Sequence, residues 1–315
     1  MIEQLFARDI HISYNLISFS ERSEEVNQQQ TNEVFSEKWE KVATNEGETD
    51  DLEDFQLKWY LQLYGFESNE AFEAFLKNKK VIIDAGCGLG YKAAWMARLS
   101  PESTVIGIDY SSAVDIASEK YKGLKNLFFI RGDIADTGIQ PESVDYISCD
   151  QVIMHTEEPQ NTFAHLSGLL KPGGEFACYV YAKKALPREL LDDYFRQHTH
   201  KVPTSELWEM SEQLVQLGKT LSDLNIKIEV PDIPLMGIKG GEYDLQRFFY
   251  WNFIKCFYKE DWNWQLNVST NFDWYSPSNA RRYHAEEFYN WAKESHLEIV
   301  FRHTEEACHT GRFKK

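Results

Sequence analysis

The chain has little of what a secreted, disulfide-bonded or membrane-spanning protein needs. Its 315 residues include only five cysteines. Cys87, Cys149, Cys178, Cys256 and Cys308 are scattered, odd in number and without C-x-x-C spacing, so neither a disulfide framework nor a cysteine-rich zinc site is indicated. A reducing cytoplasm suits them. No uninterrupted apolar run reaches membrane-spanning length. The opening segment MIEQLFARDIHISYNLISF has no basic stretch followed by an apolar core, so it does not read as a secretory signal. Positive charge is also scarce: 33 Lys and Arg against 50 Asp and Glu give a formal net charge of -17. A nucleic-acid partner is therefore disfavoured, because binding a polyanion without a basic surface forfeits counterion release. No basic patch is evident along the sequence, and no internal repeat is visible.

What is present is globular: 43% of residues are hydrophobic and 14% aromatic. The length fits one sizeable α/β domain with additions, or two small domains. Residues 80 to 90, KVIIDAGCGLG, organise the rest. Val81, Ile82 and Ile83 form a β-branched run of the kind found in a strand buried on both faces of a parallel sheet. Gly86, Gly88 and Gly90 follow, and then a helix-favouring stretch from Tyr91 to Leu99. The glycines thus occupy a strand-to-helix turn, where a missing Cβ permits unusual dihedrals and close approach of a ligand. A dinucleotide fingerprint G-x-G-x-x-G started at Gly86 would require glycine or alanine at position 91, which is Tyr91.

Residues 80 to 182 alternate strand and helix patterns with short connections, the pattern of a doubly wound parallel sheet. Strands are predicted at 80–84, 104–109, 126–131, 144–149 and 174–181. Ligands of such sheets bind beyond the carboxyl ends of the strands. Those ends carry Asp109, then Gly132 and Asp133, then Cys149, Asp150 and Gln151, and the fifth strand is introduced by Lys171, Pro172, Gly173 and Gly174.

DAGCGLG, GIDYS, GDI, SCDQVIMHTEEP and LLKPGGEF resemble, in this order, the successive motifs of class I S-adenosylmethionine-dependent methyltransferases. The resemblance covers about a third of the chain. It implies a Rossmann-like, seven-stranded, mostly parallel sheet with S-adenosylmethionine in its crevice. The methionine end of the cofactor would lie near Asp84, Gly86, Cys87 and Gly88, its ribose on Asp109 beside Tyr110, and its adenine near Asp133 and Ile134. Asp150 and Gln151 would face the transferable methyl group. A weaker resemblance, to bacterial methyltransferases often found among glycan-biosynthesis genes, rests on Phe35 to Trp39 (FxxxW) and on FDWYSP, Phe272 to Pro277. Many of those relatives carry two histidines after the fourth strand. Here Met154 precedes His155.

The expected organisation is a peripheral segment at 1–34, an N-terminal helical lid at 35–79, the cofactor core at 80–182, an aromatic-rich cap insertion at 183–282 and a C-terminal completion of the sheet at 283–315. In the lid, 51–65 reads as an amphipathic helix because Trp59 and Leu63, and Tyr60 and Tyr64, are i,i+4 pairs. The block from Phe248 to Tyr275 holds twelve aromatics in 28 residues. Most belong to a core, while Trp262, Trp264, Trp274 and Tyr275 stand among polar residues as a partly exposed surface suited to stacking on an acceptor. A helix at 284–296 and a strand at 297–302 are expected to close the sheet, followed by a basic tail GRFKK.

His155 is the candidate base, with a reference pKa of about 6.5, and a structural role in holding the turn is its alternative. Asp150 is the second catalytic candidate, placed to orient an acceptor. Trp59, Tyr60, Tyr179, Trp274 and Tyr275 are the candidate acceptor contacts. No metal is expected, since Glu157 and Glu158 lack a further Asp-Asn pair at workable spacing. The partner called for is a small-molecule methyl acceptor, such as a sugar or natural-product intermediate. A tRNA or protein substrate and a non-catalytic binding protein stay as alternatives. The sequence leaves the oligomeric state open, a homodimer included.

Overall fold

The strand at the centre of the sheet forms because its residues have no polar face: every residue from Val81 to Ala85 is buried. A computed structural model describes residues 2–18, 26–43, 46–199 and 201–315. In chain order a short hairpin, β1 (His11–Ser13) and β2 (Leu16–Ser18), precedes three helices, α1 (Val26–Ala43), α2 (Glu46–Leu63) and α3 (Asn69–Leu76). The alternating region is β3 (Val81–Ala85), α4 (Tyr91–Leu99), β4 (Thr104–Asp109), α5 (Ala113–Lys120), β5 (Leu127–Arg131), β6 (Val144–Cys149), α6 (Pro159–Leu169) and β7 (Leu170–Ala182). The insertion contributes α7 (Leu186–Thr199), α8 (Thr204–Asp223), β8 (Lys227–Val230), β9 (Gly241–Asp244), α9 (Leu245–Asn252) and α10 (Trp264–Tyr275). The chain closes with β10 (Arg282–Tyr283), α11 (Ala285–Glu294), β11 (Glu298–Thr304) and β12 (Cys308–Lys314).

The main sheet runs β1-β2-β5-β4-β3-β6-β7-β12-β11, with β10 beside β7. Strands β3 to β7 are mutually parallel, and β12 and β11 add antiparallel partners. The order reverses between β4 and β6 on either side of β3, which opens a crevice at the carboxyl ends of these strands. The fold class is the expected Rossmann-like one, but ten strands stand where seven were expected. Seven form the sheet from β5 to β11. The other three are β10 and the hairpin, whose β2 pairs in parallel with β5 through Leu16 to Phe129 and Ile17 to Ile130. Residues 11–18 therefore extend the sheet, with Ile17 fully buried, and α1 starts ahead of the expected boundary at residue 34.

The C-terminal stretch also departs from expectation. GRFKK is not a tail after an edge strand. Gly311 to Lys314 lie within β12, wedged between β7 and β11. Phe313 is buried in the core, and its ring lies 2.4 Å from where a Cβ on Gly311 would be, so only glycine fits there.

Helix α1 crosses the mouth of the crevice. Lys38 forms an ion pair with Asp273 of α10, Gln30 donates to the Ser276 carbonyl at 3.0 Å, and Ser36 Oγ accepts from the Ser112 amide at 3.1 Å. Helix α1 is thereby fastened both to the segment that carries α10 and to the loop after β4. The insertion has its own core, in which Trp208 stacks on Phe272 at 3.7 Å and 6°. Among the described residues no helix is long and apolar enough to cross a membrane.

Candidate active site

The glycine turn after β3 is left-handed at three points, with φ of +81° at Gly86, +51° at Gly88 and +76° at Gly90. L side chains rarely adopt such values. Gly86 has a second reason to be glycine: a Cβ there would lie 2.3 Å from both Val152 methyl groups. The closest approach at Gly86 is therefore by protein rather than by ligand. At Gly88 the corresponding space faces the Trp39 ring at 3.2 Å.

Two adjoining cavities open beside this turn. The larger, about 520 Å³, is lined by Asp84, Gly86, Cys87, Gly88, Asp150 and Gln151 on the sheet side and by the insertion on the other. The smaller, about 110 Å³, is lined by Asp109, Tyr110, Gly132, Asp133 and Ile134. Phe35, Trp39, Gly86, Gln151, Val152 and His155 border both, so the two meet at the switch point of the sheet. Gln151 is itself left-handed, with φ of +64°, a conformation uncommon outside glycine that turns the chain sharply at this junction.

Burial governs the chemistry of the larger cavity. Asp84 is 2% exposed and its Oδ2 has no hydrogen-bond partner. Burial pushes its pKa up to about 7, with Lys92 pulling in the opposite direction. Asp150 is fully engaged: Tyr64 donates to its Oδ1 at 2.8 Å and Lys92 forms an ion pair with Oδ2. Burial works against the Lys92 ammonium, yet Asp150 more than offsets it and the Lys92 pKa lies above its ordinary value. Gln151 donates to Gln56 Oε1 at 2.7 Å, which ties the switch point to α2.

Asp109 holds the turn together. Its Oδ2 accepts from the Gly88 amide at 2.7 Å, and its Oδ1 accepts from the Ser111 amide at 2.9 Å and hydroxyl at 2.6 Å. The Tyr110 amide acts on the same carboxylate, so most of its roughly four acceptor positions are engaged by the turn itself. Asp133 spends one acceptor on the Ala135 amide at 2.8 Å, and burial raises its pKa.

His155 is buried, with Nδ1 against the Asn279 carbonyl at 2.6 Å. That contact requires Nδ1 to carry the proton and leaves Nε2 as the acceptor, 3.4 Å from the Tyr181 hydroxyl. Burial lowers its pKa to about 4, against the opposing effect of the Asn279 carbonyl. The imidazole is neutral at pH 7, and this Nδ1 contact also anchors the insertion, so one side chain serves both structural and cavity-lining purposes.

The candidate acceptor contacts divide. Trp59, Tyr179 and Trp274 line the larger cavity. Tyr60 and Tyr275 do not. Tyr60 faces away from the cavity into the core under α2, its hydroxyl 2.5 Å from that of Tyr146. Successive helical residues point about 100° apart, so Trp59 and Tyr60 cannot share a face. Tyr275 packs behind the cavity wall and donates to Asp192 Oδ1 at 2.9 Å. The exposed aromatic surface expected around Trp274 is likewise interior: Trp274 is 4% exposed, while Trp264 is 41% exposed and lies off the cavity.

Sequence reasoning also missed the cations. Seven lysines and arginines border the larger cavity against three aspartates, in a chain whose formal charge is -17. They come from α1, α4, the β7–α7 region, α9 and the α9–α10 connection. Single basic residues that far apart leave no local signal.

Comparison with known proteins places this geometry. A family described as "Methyltransferase domain" matches residues 76–241, just over half of the chain. The trans-aconitate 2-methyltransferase of Deinococcus radiodurans is 34% identical over 101 residues, 32% of this chain and 38% of that protein. The malonyl-[acyl-carrier protein] O-methyltransferase of a Marinomonas species is 24% identical over 173 residues, 52% of this chain and 63% of that protein. A crystal structure of a SAM-dependent methyltransferase from Aquifex aeolicus covers 80% of this chain and 90% of its own at 13% identity, with a TM-score of 0.42. The match spans only 25% to 30% of the first three curated relatives. The chain belongs to the methyltransferase domain family. Within it, the chain is a class I member whose cofactor is S-adenosylmethionine. The site fits that cofactor on its own chemistry, because the buried, unpartnered Oδ2 of Asp84 calls for a cationic donor.

Proposed function

We propose that the protein transfers a methyl group from S-adenosylmethionine to an oxygen or nitrogen of a small molecule of the sugar or natural-product-intermediate class. The observation that carries this reading is the pair of cavities meeting at Gly86, Gln151, Val152 and His155 under a roof of α1 and the insertion. A roofed cavity of about 520 Å³ is of the size that takes a small molecule.

The bound cofactor supplies an already activated methyl group, so the protein is left to align, desolvate and, for a hydroxyl acceptor, take up a proton. Asp84 would hold the cationic amino group, Asp109 a ribose hydroxyl, and Asp133 with Ile134 the adenine edge. Asp150 cannot act as a free base, since Lys92 and Tyr64 occupy it. Its role is to fix the switch point. His155 Nε2 is the unprotonated acceptor nearest the junction, positioned with Tyr181 to receive an acceptor proton. A base of pKa about 4 gives only a modest driving force, which suits an acceptor that ionises readily.

The test is incubation with isotopically labelled S-adenosylmethionine and cell extract, followed by mass spectrometry. A labelled small metabolite is the expected result. Labelled RNA or protein would replace this reading with a macromolecular substrate, and no label transfer at all from well-folded protein would leave a binding protein.

A further inference from the structure

The cations around the larger cavity are not used up by the acids that face them. Lys38 pairs with Asp273, Lys92 with Asp150 and Arg188 with Asp192. Lys184, Arg247, Lys255 and Lys259 border the same cavity and form no ion pair among the described residues. Lys184 is engaged by backbone carbonyls, among them Ala182 at 2.8 Å. Lys255 is different: it is 7% exposed, and the contact its ammonium makes is with the Trp274 ring at 4.6 Å. Its stem is buried while its ammonium borders the cavity with no side-chain or backbone acceptor among the described residues, which leaves its hydrogen-bonding capacity for whatever occupies that space.

These side chains form a continuous band with the aromatic rings of the insertion. Lys255 and Arg188 lie against Trp274 at 4.6 and 5.2 Å. Arg188 and Arg247 share Tyr250 at 5.5 and 5.6 Å. Arg247 also contacts Phe257 at 5.4 Å, whose ring is 5.3 Å from Trp262. Lys259 lies over Trp262 at 5.2 Å and over Phe55 at 5.3 Å. The band thus runs from beside Tyr181, which packs on Trp274 at 4.8 Å, to the lid helix α2. An alternation of positive charge and ring faces recognises an anion attached to an apolar or ring-bearing body.

Resting on the function proposed above, we infer that the methyl acceptor carries at least two negative charges, as a phosphate ester or a polycarboxylate, and that Lys255, Arg247 and Lys259 bind them. The acceptor's anionic end lies on the insertion wall, and its reacting atom points to the junction beside Gln151 and His155. Burial brings the pKa of both Lys184 and Lys255 down to about 7; Arg188 lowers each further, opposed by Glu189 at Lys184 and more strongly by Asp273 at Lys255.

Calorimetry on the full chain saturated with S-adenosylhomocysteine tests this, with inorganic pyrophosphate and citrate as probes and sodium chloride of matched ionic strength as the reference. Pyrophosphate, citrate or both should bind more tightly than about 1 mM, and which of them binds tells phosphate from carboxylate. Lys255→Gln and Arg247→Gln should each weaken that binding roughly tenfold, with Lys255→Arg restoring it. Glutamine keeps a polar head at the cavity wall without the charge, and thermal unfolding of the variant checks that it folds. Absence of binding by both probes, or unchanged affinity in Lys255→Gln, would overturn the inference. The S-adenosylhomocysteine titration done first reads the proposed function separately: its failure counts against that reading, while polyanion failure alone counts against the acceptor class.

Discussion

Lys92 and Asp150 form an ion pair on the wall of the larger cavity, their side chains 9% and 2% exposed. The lysine comes from the first turn of α4 and the aspartate from the end of β6, so the pair joins the glycine turn to the switch point of the sheet. The two charges are costly to bury and worth retaining only together. Lys92→Met alone should destabilise the protein by about 3–5 kcal/mol, because it leaves a buried carboxylate with neutral donors only, Tyr64 and Gln151. The double variant Lys92→Met, Asp150→Asn should recover most of that loss. Urea unfolding of the four proteins of this cycle measures it, and a fully additive cycle would mean that the pair is not coupled.

Asp84 and His155 are shifted in opposite directions and should tilt stability oppositely with pH. Asp84 has a folded pKa of about 7 against an ordinary value of 3.8. Between those values the folded chain keeps a proton that the unfolded chain has released, so this group makes the protein less stable as pH rises from about 4 to about 7. Asp84→Asn should therefore gain stability at pH of about 8, by at most about 4 kcal/mol, while losing affinity for S-adenosylhomocysteine. His155 has a folded pKa of about 4 against 6.5. Its contribution is complete above about 6.5 and is lost as pH falls toward about 4, and His155→Gln should flatten that arm. Unfolding curves collected at several pH values separate the two. Parallel curves for parent and variants would show that neither group carries the assigned shift.

Tyr60 and Trp59 are adjacent in sequence and opposite in role. Tyr60→Phe removes a hydroxyl that lies 2.5 Å from that of Tyr146, leaving the latter buried without this partner, so it should cost about 1–3 kcal/mol of stability with ligand affinity unchanged. Trp59→Ala removes a cavity wall and should weaken acceptor binding at a smaller cost in stability, since Trp59 is only partly buried. Thermal unfolding and calorimetry on both variants decide the matter. The reverse pattern would return Tyr60 to the site.

These cases show which kinds of information the sequence carries. The positions of the glycine turn and of the aspartates at 84, 109 and 133 were legible because each lies at or just beyond the carboxyl end of a strand. Whether a helical residue faces the cavity or the core depends on a rotation that periodicity near Trp59 and Tyr60 leaves ambiguous. Hidden altogether were partners brought together from distant segments: Lys92 with Asp150, His155 with Asn279, and the cations around Lys255. The strands not placed in advance were hidden for the same reason. The hairpin at 11–18 and the strand formed by 308–314 are short polar-apolar mixtures whose partners lie across the chain, and only pairing with β5 and β7 makes them strands.

Gly86 offers the sharpest test of the turn itself. Its φ of +81° would cost an alanine roughly 1–2 kcal/mol even in open space. The space is not open: the new Cβ would lie 2.3 Å from Val152, and Val152 cannot move aside without shifting the backbone between Gln151 and His155. Gly86→Ala should therefore lower stability by more than the backbone cost alone and weaken S-adenosylhomocysteine binding at the same time. Val152→Ala in the same chain should remove the two methyl contacts at 2.3 Å but leave the Val152 Cβ at 2.7 Å and the backbone part, so the double variant regains some stability without reaching the parent. Gly173 serves as the control: its φ is +82° and no atom lies within 4 Å of its missing Cβ, so Gly173→Ala should show the backbone cost and leave ligand affinity untouched. Equal losses at Gly86 and Gly173, measured by urea unfolding, would mean that Val152 does not close on the turn.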